Sequence, residues 1–170
     1  MLRKIILISI ILYSIGILSY KIYKTINKKS AIEKATASLP VFRFYTLQGQ
    51  PFTNDSLQKD QSTVFTYFNT GCEHCQYEVV QIIKNEKQLN QANLLMISNQ
   101  PVQELKAFDS LYHLSSYPFI KLLRDSAGSF PEIFGTAMVP SMFIYNNEKR
   151  LVKKFLGETK IENLIQAVYE

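Results

Sequence analysis

Cys72-Glu73-His74-Cys75 holds both cysteines of this 170-residue chain, three positions apart. It follows the apolar run Val64-Phe65-Thr66-Tyr67-Phe68 and opens a stretch with Cys75, Val79, Ile82, Ile83 and Glu86 at helical intervals. Apolar run, short loop and helical spacing predict a buried strand leading into a helix. The first cysteine then sits at the helix N-terminus and the second lies one turn inside. Unpaired N–H groups and the helix dipole stabilise a thiolate there. An activated nucleophile thus lies beside its own resolving thiol, an arrangement suited to thiol–disulfide exchange.

Two other readings compete. A C-x-x-C pair is half of a zinc site, but zinc normally takes four ligands. The chain offers two Cys and two His, and His113 is distant in sequence, so Asp or Glu would have to complete the set. The pair could also form an inert disulfide, although closing so small a loop contributes little stability. Exchange is the preferred reading, with no metal and no cofactor expected.

The elements that must position this pair make up one domain with an attachment. A hydrophobic content of 46% is enough for a packed core. The net charge of +5 is unevenly placed. Seven of the nineteen Lys and Arg fall in the first 34 residues (Arg3, Lys4, Lys21, Lys24, Lys28, Lys29 and Lys34), where Glu33 is the one acid. The rest of the chain carries −1, so the charge does not point to nucleic acid as a partner.

Residues 5–20 are uncharged and mostly apolar, preceded by Arg3 and Lys4. They are at the short end for a membrane-spanning helix, and Ile22 and Tyr23 extend the span if Lys21 snorkels. A cleavable signal peptide is the rival, with Ala35-Thr36-Ala37 as a small-x-small site. That site lies five lysines beyond the apolar run, which favours an uncleaved anchor. No cysteine follows the run to serve as a lipoprotein anchor. The flanking charges nearly balance and do not fix orientation. The signal-anchor plan, with a domain whose cysteines form only an exchange pair, favours an extracytoplasmic (periplasmic) domain. The expected organisation is an N-terminal membrane anchor over residues 1–24, a polar, helical stalk over 25–39 and a folded domain over 40–170.

Along that domain, residues 41–45 predict a strand and Gln48-Gly49-Gln50 a turn. Residues 63–68 predict the buried strand, 74–88 a helix and 94–97 a second buried strand, together a β-α-β unit. Pro101 suits the first turn of a helix carrying Leu105, Phe108, Leu111 and Tyr112 on one face. Residues 119–123 predict a strand, 125–128 a turn and 131–134 a short helical piece. Val139-Pro140-Ser141-Met142-Phe143-Ile144-Tyr145, a turn at Asn146-Asn147 and residues 150–156 predict a hairpin. Ile161, Leu164, Ile165 and Val168 predict a closing amphipathic helix over 159–169.

This order resembles the α/β thioredoxin fold, a central mixed sheet flanked by helices. Within it the chain resembles the membrane-tethered, exported TlpA- and ResA-like thiol–disulfide oxidoreductases and redoxins. Three segments carry the likeness: Pro40, Phe42, Leu47, Gly49 and Leu57; Val64 through Glu78 with the C-x-x-C; and Val139-Pro140-Ser141-x-Phe143. The resemblance implies that Cys72 is the exposed attacking thiol and Cys75 the buried resolving thiol. It implies that Pro140 is cis and faces the sulfurs. The Val139 backbone would pair with an extended substrate, and Gly71 and Glu73 would flank the contact. Glu78 matches a carboxylate of ResA-like members that accepts or relays a proton; the alternative for it is a solvated helix face.

The chain departs from the family pattern in three places. Thr66 stands where thioredoxin has a buried Asp, Gly71 where a Trp is common, and Glu-His fills the motif's middle. His74 resembles the histidine of strongly oxidising members, where an imidazole favours the thiolate and raises the potential. Glu73 opposes that effect. The alternative for both is simple exposure at a helix start, and His113 is expected to be structural.

The expected function is membrane-tethered exchange with protein thiols and disulfides, served by a membrane or exported redox partner. The direction, reductase or oxidase, stays open. One alternative is a redoxin-type peroxidase, disfavoured because Asn69 stands where a Thr is needed. The other is a non-catalytic binding or metal-handling module, disfavoured because both cysteines and the loop proline are present.

Overall fold

The computed structural model describes residues 2–170, with side chains described from residue 13 onward. The chain divides into two units, Met1–Ala35 and Thr36–Glu170. The first is carried by one helix, α1 (Leu2–Thr36). Most of its described apolar side chains, among them Ile15, Leu18, Ile22 and Ile26, are exposed. Among the described residues no helix is long and apolar enough to cross a membrane. The first part of the expected span, residues 5–12, lies outside the residues whose side chains are described.

The second unit is built on a seven-stranded sheet: β1 (Arg43–Thr46), β2 (Pro51–Thr53), β3 (Thr63–Tyr67), β4 (Asn93–Ser98), β5 (Ile120–Arg124), β6 (Ser141–Tyr145) and β7 (Leu151–Leu156), in the order β2-β1-β5-β4-β3-β6-β7. The three central strands β3, β4 and β5 are parallel, and every other pairing is antiparallel. All five residues of β3 and all six of β4 are buried. That is why these segments read as continuous apolar runs rather than alternating ones: both faces of the sheet are covered.

One face carries Val64, Met96 and Ile144 under α2 (Glu73–Lys84), α4 (Val102–Tyr112) and α6 (Ile161–Val168). The other is an aromatic core around α5 (Phe130–Phe134), where Tyr67 stacks on Phe130 with ring centroids 4.3 Å apart. Asp125, fully buried, holds α5 in place: Oδ1 accepts from the Ser129 N–H at 2.9 Å and Oδ2 from the Phe130 N–H at 2.7 Å. A buried carboxylate satisfied at a helix N-terminus is a stable arrangement.

Several boundaries differ from the sequence reading. The helix expected over 74–88 is two: α2, then α3 (Glu86–Leu89) after Asn85. Asn85 donates from Nδ2 to the Gln81 carbonyl at 2.9 Å, a side-chain competition with the helical ladder. Residues 36–39, read as the end of the stalk, join the compact unit. Tyr145 Oη donates to the Thr36 carbonyl at 3.0 Å and the Leu151 N–H to that of Ala37 at 2.9 Å. His113 closes α4 in the left-handed region, φ 53°, and its carbonyl accepts from the Ser116 N–H at 3.0 Å.

Candidate active site

The C-terminal end of β3 and the start of β6 meet at one end of the sheet. Tyr67 pairs with Ser141, so the residues that follow Tyr67 and those that precede Ser141 lie side by side. The first group is the loop into Cys72; the second is Val139-Pro140. The Val139–Pro140 bond is cis, as the resemblance implied. Val139, half-buried like Cys72, packs with it against the core face that contains Cys75. Pro140 is buried, and its carbonyl accepts from the Gly157 N–H at 2.9 Å.

Cys72 is the N-cap of α2 in an extended conformation, and Cys75 is its third helical residue. Both thiols are free; Cys72 is half-buried and Cys75 is 1% exposed. Burial pushes the Cys75 thiol up to about 12, with an opposing pull from the Asn69 backbone N–H and further upward pushes from Cys72 and Glu78. A thiol held that firmly needs a base before it can attack.

The loop before Cys72 is fixed at nearly every polar group. The Gly71 N–H donates to Asn69 Oδ1 at 2.8 Å and the Cys72 N–H to the Asn69 carbonyl at 3.1 Å. Gln100, on the loop after β4, accepts the Thr70 N–H at 2.7 Å and donates to Thr70 Oγ1 at 2.9 Å. Gln76 Nε2 donates to the Thr70 carbonyl at 2.7 Å. Gln100 was not singled out from the sequence, because its partner lies 30 residues away and a lone glutamine after a strand carries no signal.

Glu78 lies one turn beyond Cys75 on α2 and is 4% exposed, so the solvated-face alternative is set aside. Its Oε1 accepts from the Thr159 N–H at 2.9 Å, while Oε2 has no hydrogen-bond partner among the described residues. Burial first of all, and then the nearby Glu158 charge, push the carboxyl up to about 7 against the Thr159 N–H and His74. A carboxylate that changes state near neutrality beside a thiol that must lose a proton is placed for proton transfer. Thr66, where thioredoxin has a buried Asp, is buried; its hydroxyl has no partner among the described residues, and it supplies no titratable group there. The buried acid of this site comes from the helix rather than from the strand.

His74 and Glu73 are exposed on the first turn of α2, and Gly71 is exposed beside Cys72. His74 Nδ1 pairs with Glu158 Oε2. Glu158 was missed from the sequence: it stands 84 residues from His74, on the loop after β7. Of the expected site residues, the structure gathers Gly71, Cys72, Glu73, His74, Cys75 and Glu78 on α2 and its lead-in, with Val139 and Pro140 at the same end of the sheet. Among the described residues no three His, Cys, Asp or Glu side chains are grouped to hold a metal ion.

No family model matches the chain, and no curated protein matches it. Solved structures do. A secreted disulfide oxidoreductase of Mycobacterium tuberculosis, homologous to E. coli DsbE, aligns at 19% identity over 75% of this chain and 94% of its own, with a TM-score of 0.64. StoA from Bacillus subtilis aligns at 19% identity over 77% of this chain and 98% of its own, with a TM-score of 0.59. A peroxiredoxin-like protein from Aquifex aeolicus aligns at 13% identity over 79% and 85%, with a TM-score of 0.64. At these identities the likeness is one of fold, and the fold of residues 36–170 is thioredoxin-like.

Proposed function

We propose that this protein is a membrane-tethered, extracytoplasmic thiol–disulfide oxidoreductase of the TlpA- and ResA-like kind, acting on protein substrates through Cys72 and Cys75. The observation that carries the reading is the buried Glu78 carboxyl one turn from the buried Cys75 thiol, behind an accessible Cys72 at the helix N-terminus. An inert disulfide has no use for a buried base.

In the reducing direction the Cys72 thiolate attacks a substrate disulfide. A Cys72–substrate disulfide forms, and the other substrate sulfur leaves as a thiolate. Cys75 passes its proton to the Glu78 carboxylate, and the resulting thiolate attacks the Cys72 sulfur. The Cys72–Cys75 disulfide forms and the second substrate thiolate leaves. Two electrons pass to the substrate, and a dithiol donor from a membrane or exported partner restores the pair. The oxidising direction runs the same steps in reverse. Val139, Gly71 and Glu73 border Cys72 and would meet the substrate.

The anchor reading rests on residues 5–20 and the basic flank from Lys21 to Lys29. A lone helix with bare Ile15, Leu18, Ile22 and Ile26 is disfavoured in water. The peroxidase alternative is further weakened because Asn69 is committed to holding the loop through Gly71 and Cys72.

The test is catalysed reduction of insulin disulfides by dithiothreitol with the full chain in detergent. Catalysis should appear and should vanish in both Cys72→Ser and Cys75→Ser. Turnover that survives loss of either cysteine would reject the reading.

A further inference from the structure

Three consecutive residues on the loop after β7 each grip a different part of the site. The Gly157 N–H donates to the Pro140 carbonyl at 2.9 Å. Glu158 Oε2 pairs with His74 Nδ1, and the Thr159 N–H donates to Glu78 Oε1 at 2.9 Å. Gly157 and Thr159 grip through backbone N–H groups, Gly157 from the left-handed region (φ 98°) that favours glycine, whereas the middle grip is made by a carboxyl side chain. It adds a negative charge to a helix start where Glu73 is already acidic and where the positive end of the helix dipole favours an anionic Cys72.

We propose that Glu158 is a positioning residue that sets the redox poise of the Cys72–Cys75 pair. It holds the His74 imidazole on the β7 side and sets a carboxylate beside the helix start, so that the pair is biased toward the disulfide. The reduced form carries its charge on sulfur, so a nearby carboxylate disfavours it and lowers the reduction potential. The same histidine without such a partner would draw the couple the other way. Glu158 therefore inclines the protein toward the donor role, the direction that the motif alone leaves open. The inference rests on Cys72 and Cys75 being an exchange pair, and it concerns the charges facing that pair: Glu73, His74 and Glu78 on α2, and Glu158 on the loop. The Glu158 side chain is partly exposed, so its influence is moderate and salt-sensitive.

The test equilibrates the full-length chain with glutathione buffers and counts reduced cysteines by thiol labelling. Glu158→Gln keeps an acceptor for His74 and removes the charge; Glu158→Asp keeps the charge. The inference expects Glu158→Gln to favour the dithiol by about threefold to tenfold, a rise of roughly 15 to 30 mV. Glu158→Asp should stay near the parent, and 1 M salt should shrink the difference. A Glu158→Gln value equal to the parent's, or shifted toward the disulfide, overturns the inference while leaving the exchange reading intact. A parent chain whose cysteines do not equilibrate as a two-electron couple overturns both.

Discussion

Glu78 and Cys75 share one face of α2, three residues apart, both buried, and the Glu78 charge is among the causes that hold the Cys75 proton in place. The thiol gives up its proton with difficulty, and the carboxylate beside it is ready to take one near neutral pH.

Glu78→Gln should slow resolution of a Cys72–substrate disulfide by about 10²–10⁴-fold, the usual scale for a lost acid–base group. In the parent, resolution should fall as pH drops below about 7, where Glu78 already holds a proton and cannot accept another. Stopped-flow reduction of a model disulfide from pH 5 to 9 reads this directly. A Glu78→Gln variant with the parent's profile would remove Glu78 from the reaction.

The same shift has a stability consequence of definite sign. Folding raises the Glu78 proton affinity from 4.5 to about 7, so the folded state binds that proton more tightly than the unfolded chain. Stability from this group is unaffected below about pH 4.5, falls as pH rises through the window, and is fully reduced above about pH 7. The cost is on the order of 3 kcal/mol. Glu78→Gln should therefore raise Tm over the parent more at pH 8 than at pH 5, in thermal melts of the reduced protein.

His74→Ala leaves Glu158 beside the helix start without its imidazole partner. The reduction potential should fall by about 30 mV, a tenfold change in equilibrium. An unchanged or higher value in glutathione equilibration would mean that His74 is only an exposed residue of the first turn.

Gln100→Ala strips Thr70 of its N–H acceptor and a hydroxyl partner at once. The expected cost is about 1–2 kcal/mol in denaturant unfolding, together with slower attack by Cys72. Gln100→Glu keeps the acceptor but not the donors and should fall between.

The apolar segment over residues 5–20 should keep the protein in the membrane fraction, with the domain outside the cytoplasm. A C-terminal reporter active only in the cytosol should stay silent. An active reporter would show that the Lys21 to Lys29 flank controls orientation.

What was legible in the sequence was local. Cys72 and Cys75 are neighbours on one helix turn, the apolar run before them is the buried strand Thr63–Tyr67 because both sheet faces are covered, and Val139-Pro140 sits directly ahead of a strand. What was not legible depends on distant partners. Glu158 matters only because β7 carries it to His74, and Gln100 only because β4 brings it to Thr70. Glu78 was legible as a position but not as an environment: helical spacing places it behind Cys75, and only packing shows that it is buried. The helix that the apolar spacing would have continued breaks at Asn85, which leaves helical geometry (φ −110°, ψ 27°) while its side chain and N–H share the Gln81 carbonyl.

The most direct measurement of the central claim is disulfide trapping with single-cysteine variants in cells, read on non-reducing gels. Cys75→Ser should accumulate mixed disulfides between Cys72 and protein partners that dithiothreitol releases, and Cys72→Ser should accumulate none. Trapping by Cys72→Ser instead, or by neither variant, would contradict the account.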